Sequence, residues 1–300
     1  MANITGDGNF PSNLNQALSA STRGRLAFIA AFNFFLSITA CLGNALILVS
    51  LYKVSSIHPP TKLFFRCLAV TDLGVGLTVQ PLYVTLIMSP FIKMGVKKLF
   101  MISRVFDALG WCLCAASILT STAISLDRLL ALLLGLRYRH VVTLRRVRVL
   151  IFSFWFISVS LASIRICISR SDIALKAAST LIPLSLAISI ICYTRIFFKL
   201  RHQQVQVPQV QANEGQIPVN IARYKKSVSS VLWVQLALVA CYAPWGIAVA
   251  LYVNGIENDV AWLVTETLVY LNSSLNPILY CWKIRAVRQA VKDTIRQLHC

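Results

Sequence analysis

Long apolar stretches alternate with short polar connections along most of the chain. A helix that crosses a lipid bilayer needs roughly 20 mostly apolar residues. The stretches that reach this length lie at residues 26–52, 63–89, 99–133, 147–166, 174–200, 227–253 and 260–282. The pattern therefore predicts an all-α membrane protein, a bundle of seven transmembrane helices that we number as spans one to seven.

Polar segments flank and interrupt this bundle. Residues 1–25 form a polar N-terminus, and residues 26–282 form the seven-helix domain. Within that domain, residues 201–222 carry glutamines, prolines and few apolar residues, a composition typical of a mobile loop. In residues 283–300, apolar positions recur every three or four residues with Lys and Arg between them. This spacing predicts a short amphipathic C-terminal helix and tail, with the helix along the membrane surface.

Composition and charge narrow the class of protein and orient it. Hydrophobic residues make up 57% of the chain and charged residues 13%, a balance typical of a protein embedded in a lipid bilayer. The net charge of +19 comes from residues scattered over short loops, which argues against nucleic-acid binding. With loops assigned alternately to two sides, 20 of the 29 Lys and Arg residues share the side of the C-terminus. That side is predicted to be cytoplasmic and the N-terminus extracellular, where Asn3 begins an Asn-Ile-Thr glycosylation sequon.

Polar side chains recur inside the apolar spans, where an acid costs about 2.5 to 3.5 kcal/mol even on lenient scales. They are Asn44 in span one, Asp72 in span two, Ser117 in span three, and Asn272, Ser273 and Asn276 in span seven. In a bundle, these oxygens could form a site for a small cation or for water. A hydrogen-bond cluster that only packs the helices together is the alternative.

Ordered motifs through the spans resemble those of the rhodopsin-like (class A) G-protein-coupled receptors. The matching segments are Gly43-Asn44, Leu68 to Leu73 (LAVTDL), Asp127-Arg128-Leu129, Trp155, Cys241 to Pro244 (CYAP) and Asn276 to Tyr280 (NPILY). Gly135-Leu136-Arg137-Tyr138 also resembles the loop that follows span three in that family, with glycine in place of proline. The resemblance implies a multi-pass plasma-membrane receptor, with an extracellular ligand and a heterotrimeric G protein as partners.

The same resemblance implies roles for individual residues. The switch for G-protein coupling would comprise Asp127, Arg128, Tyr193 and Tyr280. Activation hinges would lie at Tyr242, Pro244, Asn276 and Pro277. A sodium ion that favours the resting state would be held by Asp72, Ser117, Asn272 and Asn276, with Asn44 nearby. Cys300, at the end of the chain, is a candidate for palmitoylation.

Several positions depart from the family pattern. The cysteine expected at the outer end of span three is Ser103, and the following outer loop, Cys167 to Lys176, is short. The usual disulfide is therefore expected to be missing. At the foot of span six, Tyr224 stands where many members carry an acid facing the switch arginine. With Arg128 lacking that restraint, we expect appreciable ligand-independent signalling.

Residues near the outer ends of the spans suggest where a ligand binds but not which ligand. The candidates are Asp107, Gly110, Trp245, Glu266 and Tyr270. Tyr270 stands where opsins carry the retinal lysine, and Gly110 stands where amine receptors carry an aspartate, so neither ligand type is implied. Asp107 and the missing disulfide resemble the melanocortin, cannabinoid and lysolipid group, in which a peptide, a small cation or a lipid is the ligand.

Other classes of protein account for the sequence less well. A seven-helix channel or transporter could use Asp72 in an ion path, but it gives no role to Arg128. A receptor-like decoy that does not couple is a second alternative, because Leu129 and Tyr242 replace family residues. An enzyme is not indicated, since no span contains a histidine and no nucleophile has a base at useful spacing. No cofactor is expected beyond the sodium ion.

Overall fold

The computed structural model describes residues 20–53, 57–92, 94–167, 173–210, 219–256, 258–283 and 285–298. In these ranges the chain is helical, with short turns and no strand, so the prediction of an all-α bundle is confirmed. The glycosylation candidate Asn3 and the palmitoylation candidate Cys300 lie outside the described residues.

Seven helical segments follow one another in chain order. Span one is Ala20–Lys53, span two runs through Pro59–Gly74, Val75–Val79 and Gln80–Met88, span three is Val96–Leu134, span four is Leu144–Cys167, span five is Ile173–Val210, span six is Val219–Val253 and span seven is Asp259–Lys283. The turn Gly135–Arg137 and the short helix Tyr138–Val141 follow span three, and Arg285–Leu298 forms the C-terminal helix.

Span seven differs from the others in its composition. Within the described chain, six helices are long and apolar enough to cross a membrane by those two criteria. Span seven has 25 residues, which is sufficient length, but Asn272, Ser273 and Asn276 reduce its hydropathy. Because these side chains are buried inside the bundle, they do not meet lipid. The polar side chains of span seven therefore lie where neighbouring helices can satisfy them.

Span two contains a π-helical turn that the hydrophobic pattern did not indicate. The turn covers Val75–Val79, directly before Gln80 and Pro81. Proline has no N–H to donate, and a π turn is one way in which a helix absorbs this interruption. The Oγ of Ser37 donates to the carbonyl oxygen of Gly76 at 2.8 Å, so span one satisfies a backbone acceptor within the turn.

Spans one and seven approach each other closely at Gly43. A Cβ atom at this position would lie 2.8 Å from the Cβ of Pro277, which is closer than real Cβ contacts. The glycine therefore allows the backbone of span one to pack on the proline of span seven. This contact brings Asn44, the next residue of span one, against the polar part of span seven.

The structure corrects one expectation about the segments outside the spans and adds a contact to a second. The loop expected at residues 201–222 is shorter, because span five continues to Val210 and span six begins at Val219. The glutamines near the end of span five are good helix formers and support this extension. The C-terminal helix does more than lie on a membrane surface, because Val287 and Val291 are buried in the same cluster as Ile47 of span one. Its polar face remains exposed.

Candidate functional site

The carboxylate of Asp72 is the centre of a polar cluster inside the bundle. It is fully buried and accepts hydrogen bonds from three side chains. Asn276 donates its Nδ2 to Oδ2 at 2.7 Å, while Ser273 and Ser117 donate their hydroxyls to Oδ1 at 2.8 and 3.4 Å. Spans two, three and seven therefore meet at one acid, as the polar positions in the sequence predicted.

Asn272 and Asn44 lie at the edge of this cluster and behave differently. Neither amide atom of Asn272 has a hydrogen-bond partner in the described residues, although the side chain is fully buried. Asn44 donates to the carbonyl oxygens of Ala40 and Ser273 at 2.9 and 3.0 Å, so it joins span one to span seven. Its Oδ1 also has no partner among the described groups. The cluster thus contains buried oxygen atoms with spare capacity to accept a hydrogen bond or a cation.

Arg128, at the other end of span three, is held by two residues. Its guanidinium forms an ion pair with the neighbouring carboxylate of Asp127, in which Nε lies 3.1 Å from Oδ2. Its Nη2 also donates to the hydroxyl of Thr61 at 2.6 Å. Thr61, at the start of span two, donates in turn to Oδ2 of Asp127 at 3.0 Å. Thr61 therefore ties span two to both members of the pair, a role that no sequence motif indicated.

Tyr138, in the short helix after span three, completes this group. Its hydroxyl donates to Oδ1 of Asp127 at 2.6 Å, and its ring centroid lies 5.2 Å from that of His58. We call Asp127, Arg128, Thr61 and Tyr138 the latch. Arg128 therefore has a second contact, with Thr61, although Tyr224 stands where many family members carry an acid at the foot of span six. The side chain of Tyr224 is itself outside the described part of the molecule.

The turn between span three and Tyr138 explains the glycine of the loop. Gly135 has a φ of +51°, in the left-handed region where a side chain is strained. Proline, the residue of the family pattern at this position, is fixed near −65° and could not adopt this conformation. The turn therefore requires glycine if Tyr138 is to reach Asp127.

Tyr193 and Tyr280, the other predicted switch residues, lie in the apolar cluster beside the latch. Tyr280 is buried, with its ring centroid 5.1 Å from that of Phe65 in an edge-on contact. Its hydroxyl has no hydrogen-bond partner in the described chain. The structure therefore places both tyrosines next to the latch, while Arg128 donates to Asp127 and Thr61.

The predicted hinge residues lie within helices between the cavity and the latch. Pro244 is inside span six and Pro277 is inside span seven, so each interrupts the backbone hydrogen bonding of its helix. Tyr242, two residues before Pro244, is almost fully buried and lines a cavity.

This cavity, of about 660 Å³ including its mouth, lies between spans three to seven. Its walls are mainly apolar and aromatic. All five residues that the sequence suggested for ligand binding line it, namely Asp107, Gly110, Trp245, Glu266 and Tyr270. The apolar lining with few polar groups is typical of a small-molecule site.

The two acids of the cavity have different partners. Oδ2 of Asp107 lies 3.7 Å from Nη2 of Arg165 in span four, so a cation of the protein itself already faces this acid. Oε1 of Glu266 accepts a hydrogen bond from the indole Nε1 of Trp262 at 3.0 Å. Asp107 and Glu266, both candidates for ligand binding, therefore differ in how far the protein itself already occupies them. Arg165 gave no signal in the sequence, because nothing there showed which acid it would face.

The region where the family disulfide would lie contains no cystine. Ser103 donates its hydroxyl to the carbonyl oxygen of Phe100 at 2.8 Å. The cysteines in the described ranges, including Cys167, are all free thiols.

Comparison with known proteins defines the class. The chain matches the family model described as seven-transmembrane receptor (rhodopsin family) over residues 43–176 and 170–280. It therefore belongs to the rhodopsin family of seven-transmembrane receptors, and it is a multi-pass membrane receptor rather than an enzyme.

Two kinds of receptor stand among its similar relatives. The histamine H2 receptor of Cavia porcellus is 29% identical over 91% of this chain and 79% of its own length. Melanocortin receptor 3 of Homo sapiens is 21% identical over 88% of this chain and 83% of its own. Melanocortin receptor 5 of Mus musculus is 23% identical over 98% of this chain and 91% of its own. The melanocortin likeness agrees with the subfamily that the sequence suggested.

Proposed function

We propose that this receptor lies in the plasma membrane with its N-terminus outside the cell and converts ligand binding in the cavity into activation of a heterotrimeric G protein. Span three joins the two regions, since it carries Asp107 in the cavity wall and Arg128 in the latch. The 21 residues between them correspond to about 30 Å of helix, enough to cross the hydrocarbon core. The excess of Lys and Arg on the latch side supports a cytoplasmic position for Arg128.

The latch is the observation that carries this proposal. Asp127 is buried, yet it is fully occupied by Arg128, Thr61 and Tyr138. In one arrangement of the latch, Arg128 stays with Asp127. A second arrangement, in which Arg128 leaves Asp127, has comparable energy if a partner offers Arg128 new contacts. A ligand that binds one arrangement better shifts the population toward it. Tyr193 and Tyr280 lie close by to receive the arginine, and Pro244 and Pro277 are the points at which spans six and seven bend.

An exposed leucine beside the latch is suited to the contact with the G protein. Leu136 is 96% exposed, and the flanking Arg137 and Arg139 are exposed as well. An exposed apolar side chain with charged neighbours matches the apolar core and polar rim of protein interfaces. We assign the contact with the G protein to Leu136.

The Asp72 cluster fits the sodium ion that the family resemblance implies. Asp72, Ser117, Asn272 and Asn276 would hold it, because they combine a carboxylate with hydroxyl and amide oxygens that suit a hard cation. The Oδ1 atoms of Asn272 and Asn44, which have no hydrogen-bond partner among the described residues, are the observations in favour. When bound, the ion supplies positive charge that compensates the buried carboxylate. The residues themselves hold spans two, three and seven in one arrangement.

The ligand proposed for the cavity is a small molecule. One group of relatives is named for histamine and the other for melanocortin, that is, for a small amine and for a peptide. A cavity lined mainly by apolar and aromatic side chains with a few polar groups is typical of a small-molecule site. We therefore favour a compact ligand over a long peptide.

Ligand-independent G-protein activation is the test. Wild type, Arg128→Ala and Leu136→Ala are expressed at matched surface levels and assayed against a panel of Gα subunits without added ligand. We expect a basal signal above empty vector in the wild type, changed by Arg128→Ala and at least halved by Leu136→Ala. Arg23→Ala, an exposed substitution in span one, serves as the control and should match wild type. Silence of the wild type at verified surface expression would contradict basal activity and favour a decoy receptor.

A further inference from the structure

Among the described residues, one of the two carboxylates that line the cavity has an ion pair with a protein cation. Asp107 faces Arg165, whereas Glu266 forms no ion pair within the described part of the chain. The indole N–H of Trp262 satisfies one acceptor site of Glu266 but brings no charge. The cavity therefore contains one carboxyl group that has no counter-charge among the described residues. Because a charge in an apolar surrounding is costly unless it is paired, this site favours a ligand with one positive charge.

Aromatic rings surround the acid that has no counter-charge. The indole of Trp262 lies 6.5 Å from that of Trp245, which in turn lies 6.0 Å from that of Trp111. Tyr270 follows Glu266 by one helical turn and packs against Tyr83 with ring centroids 5.2 Å apart. Ring faces attract organic cations, and tryptophan does so most strongly. The walls thus suit a cation that carries apolar substituents better than a metal ion, which would need more oxygen ligands.

Trp245 adds a possible polar contact for the ligand. Its ring lines the cavity, while its Nε1 is buried and has no hydrogen-bond partner among the described groups. A buried donor without an acceptor is costly, so an acceptor on the ligand would relieve it. The site therefore offers a carboxylate for a positive charge, ring faces for an apolar body and one donor.

We propose that the cavity binds a small organic ammonium compound whose nitrogen pairs with Glu266, and not with Asp107 or at the level of Gly110. This inference rests on the proposed receptor function, for which it names the ligand class. The apolar part of the compound lies among Trp111, Trp245 and Tyr270. Arg165 keeps Asp107 from acting as a second ammonium site.

Thermal unfolding of the purified full-length receptor tests this assignment with 2-phenylethylammonium and with 2-phenylethanol, which has no charge. The ammonium compound should raise the Tm of the wild type in a saturable manner at millimolar concentration, and the alcohol should not. Glu266→Gln should weaken the apparent affinity about tenfold or more, as expected for loss of a charge-assisted hydrogen bond. The glutamine keeps an acceptor for Trp262, so the variant should fold. Asp107→Asn is the matched comparison and should change the affinity less than about threefold, as for an exposed ion pair.

Three outcomes overturn the proposal. These are no stabilisation of wild type by the ammonium compound, stabilisation that survives Glu266→Gln, and equal stabilisation by 2-phenylethanol. Glu266→Gln could lower the Tm even without a probe. In that case the saturation curve of the ammonium compound is measured in Trp245→Leu. This second variant should also bind the compound more weakly than wild type. The assay contains no G protein. If the compound binds through Glu266 but the receptor activates no G protein, the proposed coupling is contradicted. If the receptor activates a G protein but binding does not depend on Glu266, only the proposed ligand assignment is contradicted.

Discussion

Asp127 and Glu266 are both acids at an end of a spanning helix, but the protein treats them in opposite ways. Asp127 accepts hydrogen bonds from Arg128, Thr61 and Tyr138, and one of these is a full counter-charge. Glu266 accepts a hydrogen bond from the neutral indole of Trp262 and has no ion pair among the described residues. The first acid is occupied by groups of the protein itself, while the second has capacity for a group from outside.

This difference shows how one fold can both hold a resting arrangement and detect a ligand. A fully occupied acid stabilises the arrangement in which its partners are assembled, and breaking it exposes unpaired groups. An acid without a counter-charge is a site where added binding energy can be gained. In the proposed mechanism the receptor uses both kinds of acid, one near each end of the bundle.

Removing the occupied acid should have the largest effect. Asp127→Ala leaves Arg128, Thr61 and Tyr138 without their shared acceptor. We expect a loss of about 3 kcal/mol in stability, as for breaking a buried ion pair whose arginine retains some contact with solvent. Thermal unfolding of the purified receptor is the measurement, and basal G-protein activation should rise in the same variant.

The control for this change is Asp259→Ala, which removes an exposed acid at the start of span seven. Its effect should stay within about 1 kcal/mol, the range for a charge at an exposed helix N-terminus. If Asp127→Ala unfolds no earlier than Asp259→Ala, the latch does not stabilise the resting arrangement.

Removing one partner of Asp127 should have a smaller effect. Tyr138→Phe keeps the ring against His58 but deletes the hydroxyl that lies 2.6 Å from Oδ1. The loss should be about 1.5 kcal/mol, as for a hydrogen bond to a charged group, with a rise of several-fold in basal signalling. Tyr52→Phe, which changes an exposed tyrosine, is the matched control and should be neutral. Equal Tm values for the two variants would remove Tyr138 from the latch.

The two acids were not equally predictable from the sequence. Asp127 and Arg128 are neighbours in the chain and match a family motif, so their pairing could be anticipated. Thr61 and Tyr138 could not, because their contacts depend on how span two and the turn at Gly135 pack against span three. Sequence patterns record periodicity along one helix and carry little information on which faces of two helices meet.

The same limit applies to the cavity and to the helix ends. The five candidate ligand residues do line one cavity, because their positions follow from the order and length of the spans. Arg165 was missed, since it had to reach across from span four to face Asp107. The loop at 201–222 was drawn too long because its glutamines were interpreted by composition, although they also favour helix.

The smallest predicted effect comes from removing the counter-charge of Asp107, so that Asp107 resembles Glu266. Arg165→Gln removes the cation that faces Asp107 at 3.7 Å, so two carboxylates are then left without a counter-charge. The apparent affinity for 2-phenylethylammonium should increase about two- to fivefold, which matches the modest energy of a partly exposed ion pair. The apparent affinity is measured from the Tm shift as a function of probe concentration.

Arg165→Lys, which keeps the positive charge, is the control and should behave as wild type. The gain in affinity should disappear in the double variant Arg165→Gln with Asp107→Asn. Weaker binding in Arg165→Gln would show that the arginine itself supports the ligand, and the contrast between the two cavity acids would then have to be abandoned.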